Sequence, residues 1–299
     1  MILGVDIGGT NIKFGVVNEQ YELLETCLVS TEAEKGAEQM VSKIIETAKA
    51  LQEKYSIEKI GIGTPGTVDY KTGVCVRAAN LPYQNTPVAE MVEKALNLPV
   101  RLANDATCAV LGELYAGWGR KYRNLIMITL GTGVGGGIII EGKPYYGANG
   151  GAGEFGHLII EKEGIECRCG QKGCYEKYAS VTALIRQTEE AVIKYPESLL
   201  AKRARDGVSG RTAFDAMREG CDVAVQVVDG YIEYIATGVK SLIRVFQPEA
   251  VVFGGAITNE QDYLLLPLKE KVHSSAELCI SKLKNDAGVI GAAATVKEN

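Results

Sequence analysis

A chain of 299 residues exceeds what one hydrophobic core usually serves, and at about 150 residues per domain it is expected to fold as two. Apolar residues make up 46% and charged residues 23%, enough for sizeable cores, while a net charge of -5 leaves no basic footprint for nucleic acid. The opening Met-Ile-Leu-Gly-Val-Asp carries neither a basic leader nor a cleavable apolar segment, and no run approaches the roughly 18 apolar residues of a membrane span, so a cytoplasmic protein with no membrane partner is expected.

Ile2 to Asp6 and Ile12 to Val17 are short β-rich runs separated by Gly8-Gly9-Thr10-Asn11, which predicts a strand, a glycine turn and a second strand. Met40, Val41, Ile44, Ile45, Ala48 and Leu51 lie on one helical face between Gln39 and Tyr55. Ile60 to Gly63 reads as a strand ending in the turn Thr64-Pro65-Gly66, and Thr86 as the N-cap, with Pro87 at N1, of a helix carrying Met91, Val92, Ala95 and Leu96. Pro99 to Ala103 forms a strand that stops at Asn104-Asp105, where a helix begins that ends near Gly117. The pattern then restarts. Leu125 to Leu130 is a strand, Gly131 to Gly137 a turn and Ile138 to Ile140 a second strand; Ala250 to Ile257, with Gly254-Gly255, repeats the strand and turn of Ile60 to Gly66. Two similar halves are implied. Ser180 caps a helix with Leu184, Ile185, Ala191 and Val192, a long helix runs from about Val223 to Phe246, and Gly291-Ala292-Ala293-Ala294 reads as a small-residue helix that packs closely on another element.

Three features carry chemistry. Gly131-x-Gly133-x-x-Gly136 matches the dinucleotide fingerprint in form only, because the glycines lead into Ile-Ile-Ile-Glu-Gly-Lys-Pro, a strand and turn, where that fingerprint needs a helix. What remains is a pair of glycine hairpins whose amides can approach phosphate oxygens, or which simply turn tightly. Asp105 stands at the end of a strand and the start of a helix, where open α/β sheets place ligand chemistry and where helix-terminal charge keeps a carboxylate ionised; it reads as a general base, or Asn104 or Asp105 as a plain N-cap. His157, Cys167, Cys169 and Cys174 form a tetrahedral donor set for zinc, a closed and therefore structural site flanked by Glu154 and Glu176. The other five of the eight cysteines (Cys27, Cys75, Cys108, Cys221 and Cys279) are scattered and read as buried small hydrophobes.

Asp6-Ile7-Gly8-Gly9-Thr10, Asn104-Asp105-Ala106, Gly131 to Gly137, Glu154-Phe155-Gly156-His157 and the stretch Cys167 to Glu176 together resemble the ROK family of repressors, open reading frames and sugar kinases, within the actin-like, hexokinase-like superfamily. The resemblance runs the length of the chain. It implies two actin-like (ribonuclease H-like) α/β domains, residues 1-104 and 105-285, with an interdomain active-site cleft and a last helix at about 286-299 packing back on the first domain. It further implies an ATP-dependent kinase for the 6-hydroxyl of a hexose, with glucose the first expectation and N-acetylmannosamine, N-acetylglucosamine or fructose the alternatives. Asp105 would be the base; Gly66, Asn80, Asn104, Glu154, His157 and Glu176 would hold the sugar. Asp6, Gly8, Gly9, Thr10, Asn11, Lys13, Thr132, Gly133 and Gly135 would hold the ATP phosphates, with Mg²⁺ near Asp6, and Gly254 and Gly255 would lie near the adenosine. Thr107 departs from the Asn that many members carry. Relatives are commonly dimers, so a homodimer is expected. The family also contains sugar-responsive regulators, but these carry a DNA-binding segment ahead of the first glycine hairpin, which here begins at residue 2.

Overall fold

The computed structural model describes residues 1–78, 81–148 and 151–297. Two compact units emerge, one of residues 1–123, 137–152 and 281–299, the other of residues 124–136 and 153–280.

The first unit is built on a five-stranded sheet of β1 (Ile2–Ile7), β2 (Asn11–Val17), β3 (Leu23–Ser30), β4 (Lys59–Thr64) and β8 (Val100–Asn104), in the order β3-β2-β1-β4-β8. β1 and β2 pair antiparallel across the glycine turn, and β4 and β8 continue parallel to β1. A smaller sheet of β5 (Thr67–Asp69), β6 (Val74–Arg77) and β7 (Gln84–Thr86) follows the Thr64-Pro65-Gly66 turn. Leu3, Val5, Phe14, Ile60 and Ile62 join Met40, Ile44 and Ala48 of α1 (Ala37–Gln52) and Val88 and Val92 of α2 (Val88–Leu96) in one buried core. Thr86 ends β7 and accepts a bond from Gln84 N, and Pro87 occupies the N-cap position with Val88 the first helical residue, so the predicted Thr86 cap is displaced by one residue.

The same sheet also carries α3 (Asp105–Ala116) and α10 (Ala287–Ala294), and here the small residues decide the geometry. A Cβ on Gly61 of β4 would stand 1.7 Å from the Ala292 carbonyl oxygen, and one on Gly291 would stand 1.5 Å from that of Cys108. Backbone meets backbone at both places, which is why the stretch is Gly-Ala-Ala-Ala. Gly291→Ala should therefore force α10 away from α3 and lower the unfolding free energy by about 1–3 kcal/mol or more, read from urea melts. An unchanged midpoint would show that the contact yields.

A second five-stranded sheet, of β9 (Leu125–Leu130), β10 (Val134–Ile140), β11 (Lys143–Pro144), β12 (Ala250–Gly254) and β13 (Glu277–Ile280), has the order β11-β10-β9-β12-β13 and repeats the pattern of the first. In the second unit β12 runs parallel to both β9 and β13. β10 begins at Val134, so Gly135, Gly136 and Gly137 belong to a strand and the glycine turn is shorter than the sequence reading gave it. Around β12 the second unit is helical: α4 (Glu176–Ala179), α5 (Val181–Lys194), α6 (Leu199–Arg203), α7 (Thr212–Arg218), α8 (Asp222–Phe246) and α9 (Asp262–Val272). Ser180 caps α5 as predicted, its Oγ accepting from Ala183 N at 3.1 Å. Among the described residues no helix is long and apolar enough to cross a membrane.

Candidate active site and metal centre

In the first unit, chain reversal after β1 leaves Asp6 at the strand end. The turn closes by Gly8 N donating to Asn11 O at 2.9 Å, and Thr31 fastens it through its Oγ1 to Gly8 O (2.7 Å) and its N–H to Thr10 O (2.9 Å). Gly9, Thr10 and Asn11 are exposed. Lys13, opposite Asp6 in register, donates to Asn285 O at 3.0 Å and forms an ion pair with Asp286. Those partners are more than 270 residues away and no local signal announces them. The start of α10 also backs Asp6, since a Cβ on Gly288 would stand 2.3 Å from its Oδ2.

Asn104 resolves the cap question. Its Oδ1 accepts from Ala106 N (2.9 Å) and Thr107 N (3.4 Å), and its Nδ2 donates to Gly66 O (3.0 Å), so Asn104 is the N-cap of α3 and ties it to the turn after β4. Asp105 is thereby left at the first helical position as a carboxylate not needed for capping. Gly66, Asn104, Asp105 and Asp6 are brought into one neighbourhood, whereas Asn80 lies outside the described residues.

The two acids are half-buried, and desolvation governs their titration. Asp6 is pushed up to about 6, by burial first and by Asp105 second, with Lys13 opposing. Burial also raises Asp105, against the lowering effect of the Ala106 and Asp105 backbone N–H groups and the Asn104 side chain. The helix-terminal amides therefore reduce the cost of ionising Asp105 without cancelling the effect of desolvation. Beneath them burial, Asp6 and Asp105 hold the Cys108 thiol well above its ordinary range.

In the second unit, residues 153–182 wrap from the glycine turn to α5. Glu154 opens a short 3₁₀ turn, Phe155 to His157, anchored by the buried Phe155 against Phe246. His157 turns Nδ1 to Cys167 Sγ (3.7 Å), while Nε2 faces Glu154 Oε2 (4.0 Å). Cys169 Sγ lies 3.5 Å from Cys174 Sγ, and the four donor atoms all fall within 4.8 Å of one another. A tetrahedral zinc with bonds of about 2.3 Å to sulfur requires donor separations of about 3.8 Å, so the set fits the ion. Cys167 N donating to Gln171 O (2.8 Å) closes the hairpin between the first two cysteines and the third.

Tyr175, between the last cysteine and Glu176, is fully buried and donates its hydroxyl to Ile235 O of α8 at 2.9 Å, where Gly238 leaves room for its ring. Glu176 is therefore fixed at the start of α4, its Oε1 accepting from Cys167 Sγ at 3.1 Å and its Oε2 2.7 Å from where a Cβ of Gly133 would be. The glycine turn is held by Val181 N to Gly131 O and Thr182 Oγ1 to Thr132 O, each 2.8 Å. Thr132, Gly133, Glu176 and the metal cluster thus share one region. Gly254 ends β12 and Gly255 follows it at φ +93°, its Cβ position 2.2 Å from Leu130 O.

The chain is 35% identical to a glucokinase of Thermotoga maritima, covering 99% of this chain and 97% of that one. It is 36% identical to a glucokinase of Streptomyces coelicolor, covering 100% and 98%. Among solved structures, a ROK family glucokinase from Streptomyces griseus in complex with glucose and AMPPNP superposes with a TM-score of 0.86 at 34% identity, over 100% of this chain and 99% of that one. With the ROK family model matching residues 2–299, these likenesses show that the chain belongs to the ROK family.

Proposed function

We propose that this protein is an ATP-dependent kinase for the 6-hydroxyl of a hexose, with glucose its substrate. One observation carries the reading: Asp105 is a half-buried carboxylate at the first position of α3, where Asn104 is the cap, and a second acid, Asp6, stands near it. In phosphoryl transfer the protein's work is positioning and charge stabilisation, and a carboxylate that accepts the hydroxyl proton while aligning its oxygen is what the attack needs. The glucokinase relatives, one of them crystallised with glucose and an ATP analogue, support the same donor and acceptor.

Within this reading Asp105 takes the proton as the sugar oxygen attacks the γ-phosphorus. Gly66, Asn80, Asn104, Glu154, His157 and Glu176 hold the sugar hydroxyls. The turn of Gly8, Gly9, Thr10 and Asn11, with Lys13, Thr132, Gly133 and Gly135, receives phosphate oxygens, and Gly254 and Gly255 face the adenosine. Asp6 suits Mg²⁺, because an anionic oxygen held beside a second carboxylate, with Lys13 paired to Asp286, favours a hard cation. When bound, Mg²⁺ neutralises charge developing on the phosphates. Zinc at His157, Cys167, Cys169 and Cys174 has no open position and braces the sugar-binding loop. The closed site is taken to exclude water, a competing nucleophile, and the protein to be a homodimer. A coupled ADP-release assay over glucose, mannose, fructose, N-acetylglucosamine and N-acetylmannosamine tests the reading. Glucose should give the highest kcat/KM; ADP release unchanged by any sugar would refute it.

A further inference from the structure

The turn after β12 does not end at Gly255. Residues Ala256 to Glu260 form a 3₁₀ turn, Thr258 Oγ1 donates to Gly255 O at 2.7 Å, and the segment closes on Gln261, a non-glycine residue at φ 47° and ψ -116°. Such a backbone costs about 1–3 kcal/mol and persists only where its surroundings over-determine it. On one side Gln261 N donates to Thr258 O (3.1 Å), and on the other Gln261 O accepts from Leu265 N (2.8 Å). A further restraint is ionic. Glu260, 7% exposed, receives Arg218 Nη1 of α7 at 2.5 Å; Arg218 also pairs with Asp215 and lays its guanidinium over the Tyr263 ring at 5.2 Å. A buried carboxylate in a surface-facing turn is costly to desolvate and adds little net stability, so its value lies in fixing one arrangement.

We propose that the Arg218–Glu260 pair is a positioning device for the nucleoside end of ATP: it holds residues 255–261 in the strained form against which the nucleoside docks. The inference rests on the reading that Gly254 and Gly255 face adenosine. Neither residue touches the reacting atoms, so the pair governs how well the donor is held and not how fast the phosphoryl group moves. Glu260→Gln keeps shape and one hydrogen bond but removes the charge that grips Arg218. Arg218→Met strands a buried carboxylate and can fail to fold, whereas Arg218→Lys keeps the charge and loses the fork and the stacking on Tyr263.

Steady-state kinetics of the full chain with Glu260→Gln and Arg218→Lys, alongside thermal melts, decides the matter. The expected result is an ATP KM raised about 5- to 10-fold in Glu260→Gln and less in Arg218→Lys, with kcat and sugar KM within about 2-fold of the parent. A lower melting temperature with an unchanged ATP KM would make the pair merely structural and overturn the proposal, as would equal losses in kcat and in both KM values. Parent protein that binds no ATP by calorimetry would instead remove the nucleotide reading on which the proposal stands.

Discussion

Asp105→Asn should retain the sugar and lose turnover, with kcat down by ~10²- to 10⁴-fold, the range over which a positioned general base acts. Asparagine keeps the shape of the side chain and, at the first helical position, leaves Asn104 in place as the cap, so α3 and its tie to Gly66 survive. What disappears is the proton acceptor. Calorimetry should give a sugar Kd within a few-fold of the parent, and near-parental turnover in the variant would sink the mechanism. The pH profile carries a second signature. Because desolvation raises Asp105, the acid limb of kcat/KM should sit above the ordinary carboxylate value of 3.8. Stability runs the other way. A group raised from 3.8 to about 6, as Asp6 is, contributes stability that is fully present below pH 3.8 and lost as pH rises through about 6. Removing the Asp105 charge relieves the part of that loss due to repulsion. The inactive variant should therefore melt higher than the parent at about pH 7 and lose that advantage at about pH 4. A variant both inactive and less stable at neutral pH would mean that Asp105 holds the fold and not the proton.

The repeated strand, glycine turn and strand was legible because buried runs such as Leu125 to Ile128 are apolar throughout, and the second sheet repeats the order of the first. The long helix was equally plain, its buried face at Tyr231, Ile235, Val239 and Leu242 recurring at helical spacing. β3 left no such trace. Its residues alternate between half-buried and exposed, and Glu25 and Thr26 interrupt any apolar run. Thr86-Pro87 imitates a capped helix start, but Thr86 is drawn into a small sheet by pairing with Cys75 of β6. At the site, the four metal donors could be found from spacing alone because they lie within 18 residues of chain. The Lys13–Asp286 pair and the α10 backing of Asp6 could not, since they join opposite ends of the sequence. The upward shift of Asp105 was hidden for a related reason: its helix end is a local feature, whereas its desolvation is made by the whole unit.

Removing the metal should damage sugar binding before it damages the nucleotide site, because of how the loop is built. From residue 158 to 172 only Cys167 is buried, so the segment has no core of its own and nothing apolar to hold it once the ion is gone. Its two ends are independently fixed, Phe155 against Phe246 on one side and Tyr175 on α8 on the other. The ion therefore joins two anchored ends across a loop otherwise held by hydrogen bonds such as Ile160 N to Gly173 O (2.9 Å), Gly173 N to Ile165 O (2.9 Å) and Ile165 N to the Tyr178 hydroxyl (2.8 Å). Structural zinc in peptides contributes about 10–16 kcal/mol of apparent binding free energy, far more than a loop of exposed residues can replace. Chelation, or Cys174→Ala, should free His157 to rotate away from the orientation that presents Nε2 beside Glu154, while Tyr175 keeps Glu176 near its place. Elemental analysis of chelator-free protein should find about one zinc per chain, and loss of the ion should raise the sugar KM about 10- to 100-fold, as loss of a ligand's orienting partner does, with ATP KM within about 2-fold. Limited proteolysis should then cut between residues 158 and 172. Metal-free protein with an unchanged sugar KM and an uncut loop would show that the cluster orders nothing the sugar needs.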